Sequence, residues 1–162
     1  MRNRGFVLIE LVIVLVLVGF SIALVTPSLT RLSRATELKG TAQKVSSALR
    51  YCRSESINKG RIYQILFDSN LREIRIFSVK TETANEEEGV KKVFEKRYTL
   101  PGGIDIGEVK MGFSQYPSDL PVIEFYPNGG SNGGVILLDT PDHKKYRINV
   151  DFLTGMVQIE KV

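Results

Sequence analysis

The sequence predicts an α+β protein in which a long N-terminal helix, apolar in its first half and amphipathic in its second, packs on an antiparallel β-sheet head. Three observations carry that prediction. From Phe6 to Val25 the only non-apolar residues are Glu10, Gly19 and Ser21. Apolar residues then recur at Leu29, Leu32, Ala35, Leu38, Ala42, Val45, Leu49 and Cys52, in steps of three and four that mark one face of a helix. Beyond Gly60 the period falls to two, in short runs separated by Gly-, Pro- and Asn-containing turns, as strands require.

The apolar run has about the twenty residues needed to cross a bilayer as a helix. Its one carboxylate, Glu10, is costly there, at about 2.5–3.5 kcal/mol in mid-bilayer and less near the interface. Taken on residues alone, the segment admits two readings. A secretory signal would use Arg2 and Arg4 as its charged end and Ser21-Ile-Ala23 as its cleavage site, but the apolar core exceeds the usual 7–15 residues. A plain single-span anchor is the second, and Arg31, Arg34 and Lys39 balance Arg2 and Arg4, so charge does not orient it.

Pro27 removes a backbone donor, so a kink is expected near residues 23–27, and Gly40 is a second soft point. "NKG", Asn58–Gly60, supplies the helix stop. A helix over 6–58 would be about 80 Å long. Cys52 lies on the apolar stripe and reads as a small hydrophobe. As the only cysteine it allows no internal disulfide. Residues 31–61 hold eight basic side chains against Glu37 and Glu55, a net of +6, whereas residues 62–162 are net −3. A basic stalk therefore carries a mildly acidic head. Such a stalk beside a span suits anionic lipid or acidic neighbours and is a weak argument for nucleic acid.

In the head, "RIYQILFD" (61–68) and "REIRIFSVK" (72–80) form an expected hairpin about Ser69-Asn70. Residues 81–92, with Glu86–Glu88, read as an exposed loop. Strands are then expected at 93–100, 104–106 and 109–113, and four more at 122–126, 135–139, 146–152 and 156–162. "NGGSNGG" lacks the Gly-Lys-Ser/Thr of a phosphate loop, so its glycines read as turn formers. His143, the only histidine, stands in a turn beside Asp142 and Lys144 with no partner spacing for a metal or a triad, and Asp139 and Asp142 lack a calcium-loop pattern. Neither a cofactor nor an enzymatic activity is expected.

The stretch "RGFVLIELVIVLVLVGFSIALVTPSL" resembles the class III signal of type IV pilins and type II secretion pseudopilins: a basic leader ending in Gly5, then Phe6, a glutamate four residues on, an unbroken apolar run and a proline near its end. "LRYCRSESINKG", "FYPNGGSNGGVILL" and "VDFLTGMVQI" are similar to the GspH/FimT group of minor pseudopilins. The resemblance implies a pilin-like fold and divides the chain into a leader (1–5), a transmembrane and filament-core helix (6–26), an amphipathic stalk helix (27–60) and a periplasmic β head (61–162). It implies that a prepilin peptidase cuts between Gly5 and Phe6 and methylates the new amine of Phe6, and that Glu10 meets the N-terminal amine of a neighbouring subunit. The implied function is that of a structural subunit of a type II secretion pseudopilus, with other pseudopilins, inner-membrane lipid and the secretion assembly platform as partners.

Two alternatives stand beside this reading. One is a minor pilin of a type IV pilus or DNA-uptake machine, for which Lys144, Lys145 and Arg147 are the candidate basic patch. The other is an exported β-rich binding protein with an ordinary signal peptide.

Overall fold

The computed structural model describes residues 4–81, 90–116 and 118–162, with helix side chains described at 8–21 and from residue 34 onward. The chain divides into two compact units, Met1–Thr36 and Glu37–Val162. Helix α1 (Arg4–Lys59) contributes to both, and its assignment is continuous through Pro27.

In the first unit the described side chains from Leu8 to Phe20 are apolar on every side apart from Glu10. Large hydrophobics from Leu8 to Phe20 are each 49–68% exposed, with no face turned to a core. Ser21 satisfies its hydroxyl locally, donating to the Leu17 carbonyl at 2.8 Å. Among the described residues no helix is long and apolar enough to cross a membrane. Within the 6–26 segment the described side chains run from Leu8 to Ser21, and the flanking apolar residues lie outside the described residues.

The second unit combines the end of α1 with eight strands: β1 (Ile62–Asp68), β2 (Glu73–Thr81), β3 (Val90–Thr99), β4 (Asp105–Met111), β5 (Val122–Phe125), β6 (Gly134–Asp139), β7 (Lys145–Val150) and β8 (Val157–Lys161). They form two four-stranded sheets, ordered β3-β2-β1-β5 and β4-β6-β7-β8, and every strand pairing is antiparallel. The predicted helical stripe is the seam: Leu38, Ala42, Leu49 and Cys52 have no exposed surface, and they share one core with Phe67, Ile76, Ile136 and Ile148. Burial pushes the Cys52 thiol far above its ordinary range, as the packing reading of that residue requires.

Several boundaries differ from expectation. β1 is buried on both faces, Gln64 and Asp68 as well as Tyr63 and Ile65: it lies inside its sheet between β2 and β5, and on its polar face Gln64 meets the Tyr116 carbonyl at 2.7 Å and Asp68 meets Arg75 at 2.6 Å. The expected loop over 81–92 is shorter at both ends, since Thr81 pairs with Val90 and extends β2 and β3 toward each other; residues 82–89, with Glu86–Glu88, lie outside the described residues. The two short strands expected at 104–106 and 109–113 are the single strand β4, with a register shift between Ile106 and Val109. One strand serves there because a bulge absorbs extra residues without ending the ladder. β7 stops at Val150 because Asp151–Thr154 turn back: Gly155 N–H donates to the Asp151 carbonyl at 2.9 Å, and the Asp151 carboxylate accepts from the backbone and hydroxyl of Thr154 at 2.8 and 2.7 Å.

Candidate assembly site

Of the sequence-predicted site residues, Gly5, Phe6 and Pro27 lie in α1 with side chains outside the description, and Glu10 is exposed among the apolar residues Leu8–Phe20. Cleavage, methylation, pairing and kinking at these positions therefore remain expectations.

In the second unit, the three stretches that carry the family resemblance converge on one side chain. Arg53 of α1 donates from Nε to the Thr154 carbonyl at 2.8 Å and to the Gly129 carbonyl at 3.2 Å. Gly129 belongs to "FYPNGGSNGG" and Thr154 to "DFLTGM". One turn earlier, Arg50 Nη2 reaches the Val157 carbonyl at 3.0 Å. Ser56 closes the same region by donating to the Tyr126 carbonyl at 3.1 Å. Two arginines of the basic stalk are thus spent on carbonyls of the head. Gly155 must be glycine here: its φ is +61°, and a Cβ would stand 2.5 Å from the Gly129 carbonyl oxygen.

The Gly-rich stretch also joins the two sheets. A Cβ at Gly134 would meet the Lys110 carbonyl at 2.5 Å and Ile123 at 2.6 Å, so close packing, rather than turn geometry, demands that glycine. Asn132, two residues before β6, clasps β5. Its Oδ1 accepts from Glu124 N–H at 2.9 Å, its Nδ2 donates to the Val122 carbonyl at 3.1 Å, and its own N–H donates to the Glu124 carbonyl at 3.2 Å.

Glu124, on β5, has no exposed surface. Its Oε1 accepts from Ser114 Oγ and Gln64 Nε2, both at 2.7 Å, and from Tyr116 N–H at 3.1 Å; its Oε2 accepts from Gln115 N–H at 2.8 Å and Tyr126 OH at 3.1 Å. Burial alone raises the carboxyl pKa, but the hydrogen bonds from Ser114, Gln115, Gln64 and Tyr116 together outweigh it and hold the pKa below the usual carboxylate range. Burial, with the facing carboxylate, pushes the Tyr126 phenol up to about 12. This arrangement is a clamp. A base for catalysis would carry a raised pKa and an open approach.

Sequence reasoning missed both Arg53 and Glu124. Arg53 stood inside a quoted motif, which was its only signal. Glu124 had none, because its donors come from residues 114–116, a stretch without a pattern. Among the described residues no group of three or more His, Cys, Asp or Glu side chains could hold a metal. His143 is exposed in its turn with φ +59°, and Arg147 of the basic patch faces Glu160 at 3.9 Å.

A long helix packed on antiparallel sheets, with an apolar N-terminal girdle, defines the class of pilin-like subunits. The model of the family "Type II transport protein GspH" matches residues 41–154, the region that holds the Arg53 and Glu124 clusters. The chain belongs to this family, as a GspH-like minor pseudopilin of α+β fold. It is 25% identical over 155 residues to the type II secretion system protein H of Xanthomonas campestris pv. campestris, covering 96% of this chain and 82% of that protein. The minor pseudopilin EpsH of the Vibrio cholerae type 2 secretion system shares the fold, with TM-score 0.58 and 16% identity over 77% of this chain and 97% of that one. The type IV minor pilin FimU of Pseudomonas aeruginosa PAO1 shares it too, with TM-score 0.54 and 14% identity over 80% and 92%.

Proposed function

We propose that this minor pseudopilin joins a type II secretion pseudopilus through the apolar first half of α1 after its leader is removed, and that its role is structural. The observation that carries the reading is the girdle from Leu8 to Phe20, exposed on every side. A helix apolar all round is stable in lipid or among other helices. Before assembly the segment 6–26 would lie in the inner membrane as a single span, with the head on the periplasmic side. Afterwards it would pack among the helices of other pseudopilin subunits. Exchanging lipid for protein brings no large hydrophobic gain, so close packing and polar contacts would set association.

Glu10 supplies the polar contact. Once the chain is cut between Gly5 and Phe6, the amine of Phe6 on a neighbour can meet this carboxylate. Two unit charges about 4 Å apart gain about 4 kcal/mol at an effective dielectric of 20, enough to offset an interfacial burial cost and to favour one register. A kink at Pro27 would adjust the exit of the stalk. The prepilin peptidase and the secretion assembly platform are the further partners this reading needs.

The test is intact mass and N-terminal sequencing with and without a prepilin peptidase. The expected result is a peptidase-dependent start at Phe6 carrying one added methyl group. A start near Leu24, or an uncut chain in the membrane, would reject processing. With processing established, Glu10→Val should be cut normally yet lose most of its incorporation into filaments; incorporation equal to wild type would remove the pairing role.

A further inference from the structure

We propose that the groove between α1 and β3 is a docking site for an acidic segment of another pseudopilin subunit, an inference that rests on the chain's reading as a pseudopilus subunit. The groove has a volume of about 690 Å³ and runs along α1 at Gly40, Lys44, Ser47 and Tyr51, facing Lys96 and Tyr98 of β3. A cleft of about 260 Å³ shares Lys44, Ala48 and Tyr98 with it and continues to Leu100 and Pro101. All of these residues lie within the second unit.

Three features give the groove the character of a protein-binding surface. First, its helix wall is low, because Gly40, Ser47 and Ala48 have little or no side chain, so a partner backbone can come close to α1. Second, the adjoining cleft has an apolar floor, made by the buried Val45, Ala48 and Ile74. Third, it is bracketed by aromatic rings, and Tyr98 remains 39% exposed. Low-entropy aromatic side chains around an apolar floor are the composition of interface centres.

Charge selects the occupant. The charged side chains lining the groove and the cleft are Lys44, Lys96 and Arg97, all basic. Arg97 is already paired with Glu73 at 3.5 Å, which leaves Lys44 and Lys96 as the groove's own cations; Glu95 is engaged with Ser78 Oγ at 2.7 Å and Glu55 with Lys59 at 2.6 Å. Lys96 is held in place, its Nζ 4.2 Å from the centre of the Tyr51 ring. β3 is an edge strand, and lysine on an edge discourages pairing with an arbitrary strand. The same cations attract a partner that brings carboxylates, which makes the edge selective. Two lysines beside an apolar floor suit an acidic segment with an apolar side chain at its centre; a nucleic acid backbone calls for a longer row of cations.

The full chain is produced in membranes with the other pseudopilins of its system and their peptidase, carrying a photo-reactive residue at the exposed position Ser47. The expected result is a cross-link to a different pseudopilin that maps to a segment containing Asp or Glu. The yield should fall about tenfold in the double variant Lys44→Glu, Lys96→Glu, fall likewise between about 0.05 and 0.5 M salt, and survive in Lys44→Arg, Lys96→Arg. Filament recovery separates the two readings. A chain present in filaments whose Ser47 cross-links are absent, insensitive to charge reversal, or directed to lipid, nucleic acid or a second copy overturns the docking site alone. A chain missing from filaments overturns the subunit reading and the docking site with it.

Discussion

Glu124 shows how one buried charge can be kept without a cation. Five donors converge on its two oxygens, three of them on side chains and two on the backbone of residues 115 and 116. Replacing it by glutamine would turn an NH2 group toward hydrogens that need an acceptor. Glu124→Gln should therefore destabilise the protein by about 2–3 kcal/mol, read as a lower urea midpoint with unchanged m-value. The sign of the pH dependence follows from the depressed pKa. Between the folded value and the unfolded reference of 4.5 the native state binds fewer protons than the unfolded chain, so stability falls with acidification. The contribution is complete well above pH 4.5 and is lost as pH drops through the folded value. Wild-type stability should thus decline on acidification more steeply than that of Glu124→Gln; parallel declines would show that other carboxylates dominate.

At the scale of elements, Arg53 ties the end of α1 to two loops that are distant in sequence. Arg53→Ala leaves the Gly129 and Thr154 carbonyls without this donor, while the apolar seam at Leu38, Ala42 and Leu49 is untouched. Faster hydrogen exchange is expected at 129–131 and 154–156, with amides of residues 42–49 unchanged. Equal acceleration everywhere would mean that the arginine supports the whole unit. Arg53→Lys should restore little, because lysine has a methylene at the place of Nε, the atom that donates to both carbonyls.

The helix, its apolar stripe and most strands were legible because each shows a period that one solvent-facing side preserves. Legibility failed where a strand has no such side. β5, "VIEF", is buried at all four positions, so no alternation marks Glu124 as a buried charge. It also failed at β4, where Gly107 interrupts the alternation while the bulge keeps the strand whole. The Gly-rich stretch was recognised, but closeness of approach at Gly134 is a property of two sheets meeting and leaves no local mark.

For the molecule as a whole, the question is whether the second half of α1 is an appendage or part of the head's single folding unit. Cys52 offers a direct probe, because it has no exposed surface and belongs to the same core cluster as residues of both sheets. Two effects suppress its reactivity: no reagent can reach the sulfur, and burial disfavours the thiolate that would attack. If helix and sheets open together, alkylation of Cys52 by iodoacetamide should be negligible in native buffer and should rise with urea along the curve given by tyrosine fluorescence. The agreement of two probes, one on the helix and one dominated by the head, is the test of a common transition. Labelling that rises well before the fluorescence change would mean that α1 peels away from an intact pair of sheets. The groove proposed between α1 and β3 would then open and close with that motion, and its affinity for an acidic partner would fall in proportion to the peeled fraction.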